Sequence, residues 1–192
     1  MEQSDATAIA QVRDGNADAF RVLVERHSQS VFRLAFRMTG NQQDAEDLVQ
    51  ETFLRAYRQM GKFDGRASFS TWLYRIAANC SLDLIRARKR RETQQMPVDS
   101  EGQEMAAAAA SGDPTPERLA FSGELKQLLA PALALLSAAE RTAFVLRHYE
   151  GMGTEDIGRA LGVHPGAAKH SVFRAVQKLR RALEPAVSSM KP

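Results

Sequence analysis

Thr154-Glu-Asp-Ile-Gly-Arg-Ala-Leu-Gly-Val-His-Pro-Gly-Ala-Ala-Lys-His-Ser-Val-Phe-Arg174 reads as a short helix, a turn and a second helix. Ile157, Leu161 and Val163 fill the corner of such a pair, and Gly158 is small enough to let the helices approach closely. Thr154 is expected to cap the first helix and Gly162 to end it. Pro165 stands at a first-turn position, where a missing N–H costs nothing, and the second helix is expected to run to about Leu183, before Pro185. Ala168, Val172, Ala175 or Val176, and Leu179 give that second helix its buried stripe. Its other face offers His164, Lys169, His170, Arg174 and Lys178. In a DNA-binding helix-turn-helix the first residues of the second helix meet base edges and flanking cations hold phosphates. The same residues also describe two packed helices with a solvated basic face.

Outward from this motif, apolar residues recur at helical spacing almost everywhere, and no run of strict alternation is bounded by hairpin turns. The chain reads as all-α. A first helix is expected over Ala6 to Arg13, and a second, with Phe20, Leu23, Val24, Val31, Leu34, Ala35 and Met38 inward, is stopped by Gly40. Asn41 is a good N-cap for a third helix reaching about Met60, with Asp44 and Glu46 at its positive end. Ala45, Leu48 or Val49, Thr52 or Phe53, and Ala56 form the packed face of that helix. Glu46, Asp47, Gln50, Glu51 and Leu54 remain outside, an acidic face with one apolar contact that suits a basic protein partner or simply water.

Residues 61–71, with two glycines and three hydroxyl residues, predict an ordered loop, and a basic helix follows from about Thr71 to Arg90. Phe63, Phe69, Trp72 and Tyr74 precede the run Arg86-Ala-Arg-Lys-Arg-Arg91. Aromatics beside cations suit single-stranded DNA, since an unstacked base needs a stacking partner and its phosphates need counter-charge; the aromatics equally fit a hydrophobic core. Arg75, Asn79, Asp83, Arg86 and Arg90 form a polar stripe opposite Leu73, Ala77, Cys80 and Leu84. Further on, Ser137-Ala-Ala-Glu140 is a capping-box pattern opening a helix that should stop at Gly151. Leu119, Leu125, Leu128 and Leu129 carry helical spacing, with a kink or boundary at Pro131.

The net charge of +3 over 192 residues conceals three blocks. Residues 1–91 carry +4, residues 92–117 carry six acids and no base, and residues 118–192 carry +5. The middle block, with Pro97, Gly102, Ala106 to Ala110 and Pro114, is expected to be a flexible acidic linker with too little apolar surface to fold alone, although the alanine run has helical propensity. Two small helical domains, 1–91 and 118–192, flank it. A lone cysteine, Cys80, forms no internal disulfide, and histidines at 27, 148, 164 and 170 show no metal-ligand spacing. No cofactor or metal is expected. With no basic-then-apolar start and no apolar run near the ~20 residues of a membrane span, the chain is expected in the cytoplasm without membrane insertion. No phosphate-binding glycine loop or paired nucleophile and base suggests an enzyme.

Three segments together resemble the extracytoplasmic-function (group 4) sigma factors of the sigma-70 family: Asp44-Ala-Glu-Asp-Leu-Val-Gln-Glu-Thr-Phe-Leu-Arg-Ala-Tyr-Arg58, Ser68-Phe-Ser-Thr-Trp-Leu-Tyr-Arg-Ile-Ala-Ala-Asn79 and Leu146-Arg-His-Tyr-Glu-Gly151. They stand in the family's order and separation. The resemblance implies a dissociable subunit that gives core RNA polymerase promoter specificity. It places Asp47, Gln50, Glu51 and Leu54 on the beta-prime clamp helices and the second domain on the beta flap. A base flipped from the minus-ten non-template strand would sit at the loop around Lys62, Phe63, Arg66, Ser68, Phe69 and Trp72, with Arg75, Asn79, Asp83 and Arg86 near the duplex or strand edge. His164, Gly166, Ala167, Lys169, His170, Ser171, Phe173, Arg174 and Lys178 become candidates for the minus-thirty-five duplex. The acidic linker would thread the polymerase near the RNA path, and an anti-sigma protein would cover both polymerase-binding surfaces.

The chain departs from the family where Ala78 replaces a common Arg, and where His170-Ser171-Val172-Phe173 replaces Ser-Arg-Leu-His. Ser171 lacks the bidentate reach of an Arg, whereas His170 can donate to an acceptor and Phe173 can meet a thymine methyl. A free-standing dimeric helix-turn-helix regulator is the competing reading, and a helical adaptor without DNA is a third. The first predicts a palindromic footprint without polymerase.

Overall fold

The computed structural model describes residues 4–94, 129 and 131–189. Its described residues form helices α1 (Asp5–Arg13), α2 (Ala19–Thr39), α3 (Gln42–Arg58), α4 (Phe69–Gln94), α5 (Ala138–His148), α6 (Thr154–Leu161) and α7 (Pro165–Ser189), with a 3-10 turn over Met60–Lys62. There is no strand among them. The acidic segment expected as a linker, its alanine run, and Leu119, Leu125 and Leu128 lie outside the described residues except where α4 continues to Gln94.

Local chemistry sets most boundaries. Ser4 caps α1 by accepting from the Thr7 amide, and Gly40, at φ +70°, lets the chain leave α2 in a left-handed conformation. The Asn41 side chain accepts from the Asp44 amide to open α3. Ser137 and Glu140 form the complete reciprocal capping box of α5. Several boundaries differ from those expected. α3 ends at Arg58, not Met60, and α4 starts two residues earlier than Thr71. α5 ends at His148, three residues before Gly151. Thr154 is the first residue of α6, behind an extended Gly153, and caps nothing. α7 passes Pro185 and continues to Ser189.

In the first unit α2 packs on α1, α3 and α4; in the second α5 and α6 pack on α7. Leu23, Leu34, Met38 and Leu73 are fully buried in the former, Val145, Leu146 and Ile157 in the latter. These cores are continuous, since α6 lies on α4 and α5 touches both α2 and α4. The junction is polar at its edges. Arg141 of α5 donates through Nη1 to the Met38 carbonyl at 2.7 Å and through Nε to the Leu133 carbonyl at 2.9 Å, and burial lowers its pKa. Arg37 stacks over the Tyr149 ring at 3.9 Å and lies 3.7 Å from Glu150. The two units expected from the sequence are therefore docked directly on each other.

Candidate nucleic-acid interface

The helix-turn-helix depends on one close approach. A Cβ at Gly158 would stand 2.8 Å from the Val163 carbonyl oxygen, so no side chain fits there without separating α6 from the turn. Gly162 takes φ +66° and the Val163 amide bonds back to the Gly158 carbonyl at 2.9 Å. α7 then buries Ala168, Ser171, Ala175 and Leu179, leaving Gly166, Ala167, Lys169, His170, Phe173, Arg174 and Lys178 exposed. Ser171 does not join the outer set: it is buried, and its hydroxyl donates to the Ala167 carbonyl one turn back. His164 stands just before α7, where its Nδ1 accepts from the Gly166 amide at 3.2 Å. Phe173 is 60% exposed, a large apolar surface on a helix face otherwise basic.

The loop between α3 and α4 is built around aromatic packing. Phe63, Phe69 and Trp72 pack on one another with centroids 5.2 to 5.8 Å apart, and Phe63 and Phe69 are buried. Their rings belong to the core, so they shape the loop and do not face a strand; Trp72 is half-buried. Arg13 reaches from α1 to donate to the Phe63 carbonyl and, at 3.4 Å, to the Met60 carbonyl. Gly65 turns the loop at φ +73°. Lys62 and Arg66 remain exposed, Arg66 beside Asp64 at 3.4 Å. Ser68 caps α4 by accepting from the Thr71 amide at 3.2 Å. Asn79, Asp83 and Arg86 face outward along α4, whereas Arg75 is half-buried.

On α3, Asp47, Gln50 and Leu54 are exposed and Glu51 is half-buried. Glu51 and Asp83 share Arg55, which bonds Glu51 through Nε and lies 3.3 Å from Asp83 through Nη1, and the Glu51 bond raises the Arg55 pKa. Arg88, from the basic run at the end of α4, pairs with Asp44. The acidic face of α3 and the polar stripe of α4 are thus cross-linked side by side. Sequence reasoning missed Arg13, Arg55 and the pairing of the capping-box Glu140 with Arg174 and Lys178, contacts that run between elements. Among the described residues no group of three or more His, Cys, Asp or Glu side chains is placed to hold a metal, and no helix is long and apolar enough to cross a membrane.

Residues 23–91 match Sigma-70 region 2, and residues 126–179 match Sigma-70, region 4. The chain is 36% identical to the ECF RNA polymerase sigma factor SigE of Mycolicibacterium smegmatis, over 94% of this chain and 69% of that protein. It is 34% identical to the ECF sigma factor SigW of Bacillus subtilis, over 95% and 98% respectively. Among solved structures it is similar to the sigma factor RpoE of Bartonella quintana in complex with the anti-sigma factor NepR, with TM-score 0.67 and 25% identity over 86% of this chain and 96% of that one. CnrH in complex with the cytosolic domain of CnrY gives TM-score 0.63 and 27% identity over 93% and 96%. Both matched regions in this order, with 34% identity over 98% of SigW, mean that the chain belongs to the extracytoplasmic-function sigma factors of the sigma-70 family, initiation factors of RNA polymerase and not enzymes.

Proposed function

We propose that this sigma factor docks on core RNA polymerase through Asp47, Gln50, Glu51 and Leu54, engages the minus-ten element through the 62–72 loop and the outer face of α4, and reads the minus-thirty-five duplex with α7. The observation that carries this is the division of one small unit into two neighbouring faces. α3 turns Asp47, Gln50 and Leu54 outward while α4, cross-linked to it through Arg55, turns Asn79, Asp83 and Arg86 outward. A carboxylate-rich face repels DNA and suits a basic protein surface; the adjoining stripe offers amide and guanidinium donors to a strand. The beta flap is the proposed partner of the second unit. The cytoplasm, where polymerase works, is the proposed location. Because the structures of RpoE and CnrH hold NepR and CnrY, an anti-sigma protein is the proposed inhibitor.

Unstacking each promoter base costs on the order of a few kcal/mol, which a 21.2 kDa chain of net charge +3 does not supply unaided. The isolated chain is therefore expected to bind promoter duplex weakly and to leave it closed. Run-off transcription with purified core enzyme on a promoter library tests the reading. Specific transcripts should appear with the wild-type chain and fall at least tenfold with Leu54→Arg. A palindromic footprint formed without polymerase would replace this reading with a dimeric regulator.

A further inference from the structure

Glu140 does more than complete a helix cap. As third residue of α5 its Oε2 accepts from the Ser137 amide at 3.0 Å, which satisfies the capping box. A cap needs no residue from α7, yet two reach this carboxylate. Lys178 Nζ donates to Oε2 at 2.8 Å, and Arg174 Nε lies 3.6 Å from Oε1. The Glu140 side chain is 6% exposed, whereas Arg174 and Lys178 are 63% and 48% exposed, so both cations span from a buried acid to solvent. Burial pushes the Glu140 carboxyl upward, but the hydrogen bonds from Lys178 and Ser137 outweigh it and hold the carboxyl below its ordinary value. The group is an anion throughout the physiological range.

We infer that Glu140 is a positioning residue of the recognition helix, an internal carboxylate that aims Arg174 and Lys178 and competes with DNA phosphates for them. The inference rests on the reading that α7 meets duplex DNA. Two cations four residues apart on a helix lie on the same face, within reach of one backbone strand. Left free, they would grip any phosphate and add to sequence-independent binding, whose strength is counted in released counterions. Paired with Glu140, each must exchange one anion for another, so its net gain from an arbitrary duplex shrinks. The reading helix is left with contacts that depend on groove geometry. Glu140 therefore moves the balance from non-specific to specific binding without touching a base.

Glu140→Gln tests this, because the amide oxygen still accepts from Ser137 while the charge is gone. Binding of the full chain to a random-sequence duplex is measured by fluorescence anisotropy between about 50 and 200 mM salt, beside thermal melting of each chain. Each released cation should steepen the slope of log affinity against log salt by about 0.9, so the two together make the affinity of the variant fall about tenfold further over that range. Its low-salt affinity should exceed that of the wild type. Equal slopes overturn the inference and leave DNA binding intact. A wild-type affinity indifferent to salt overturns the DNA reading and the inference with it. Lys178→Gln approaches from the other partner with the cap untouched. A cation already held by Glu140 should cost clearly less than 0.9 of slope when removed, and loss of the full 0.9 overturns the inference even if the Glu140 variant fails to fold.

Discussion

At the residue scale, Arg13 shows how one side chain of another helix sets the shape of the loop proposed to meet the minus-ten element. It donates to the carbonyls of Met60 and Phe63 and lies over the Phe63 ring at 6.0 Å, so α1 fastens both ends of the turn that leads to Lys62 and Arg66. Hydrogen bonds from a charged donor contribute about 1.5–3 kcal/mol, and 1.4 kcal/mol corresponds to a factor of ten. Arg13→Ala is expected to weaken binding of a single-stranded minus-ten oligonucleotide about tenfold while leaving affinity for core polymerase unchanged, because the outer face of α3 is untouched. Anisotropy titrations with the two partners separate these effects, and equal losses in both would point to general unfolding. Arg55 behaves differently. Since it joins Glu51 to Asp83, Arg55→Ala should weaken both interactions together.

At the scale of elements, the helix-turn-helix stands on the absence of a side chain at position 158. Gly158→Val puts branched carbon where even a Cβ meets the Val163 carbonyl at 2.8 Å, and overpacking of this kind costs about 1–3 kcal/mol. Thermal melting followed by circular dichroism should show that loss, and Ser137→Ala should cost about 1 kcal/mol by removing half the capping box of α5. Such elements were legible in the sequence because their causes are local: Asn41, Ser137, Gly40 and Gly162 act within a turn of where they stand. The inner and outer faces of α3 also followed from spacing alone. Thr154 misled because the extended backbone of Gly153 took the cap position. Phe63, Phe69 and Ser171 stayed open for a second reason, since residue chemistry fits DNA and core alike, and packing buries all three. Illegible altogether were contacts such as Arg55 with Asp83 and Arg141 with Met38, 28 and 103 residues apart, which no periodicity encodes.

At the scale of the molecule, the docked arrangement and the proposed promoter geometry exclude each other. α6 lies directly on α4, and α4 with its 26 residues is only about 39 Å long at 1.5 Å per residue. Elements centred 25 base pairs apart lie about 85 Å apart on straight duplex at 3.4 Å per step. The stretch between Gln94 and Leu129 can span about 110 Å at full extension, so the chain is long enough for the units to separate. Glu150 contributes a pH-dependent share to that balance. It sits at the junction against Tyr74, Arg37 and Arg33, and burial raises its carboxyl above the ordinary value although these neighbours oppose the shift. The long 3.7 Å pair with Arg37 does not repay the lost hydration. A carboxyl raised in the docked state binds its proton more tightly there than when separated. Docking is thus favoured most below the ordinary carboxyl value of 4.5, and that contribution is lost as pH rises through the raised value. Small-angle scattering of the full chain should show a radius of gyration that grows with pH across this window. Glu150→Gln, neutral at every pH, should stay compact and show no such growth, whereas expansion on acidification would reverse the assigned sign.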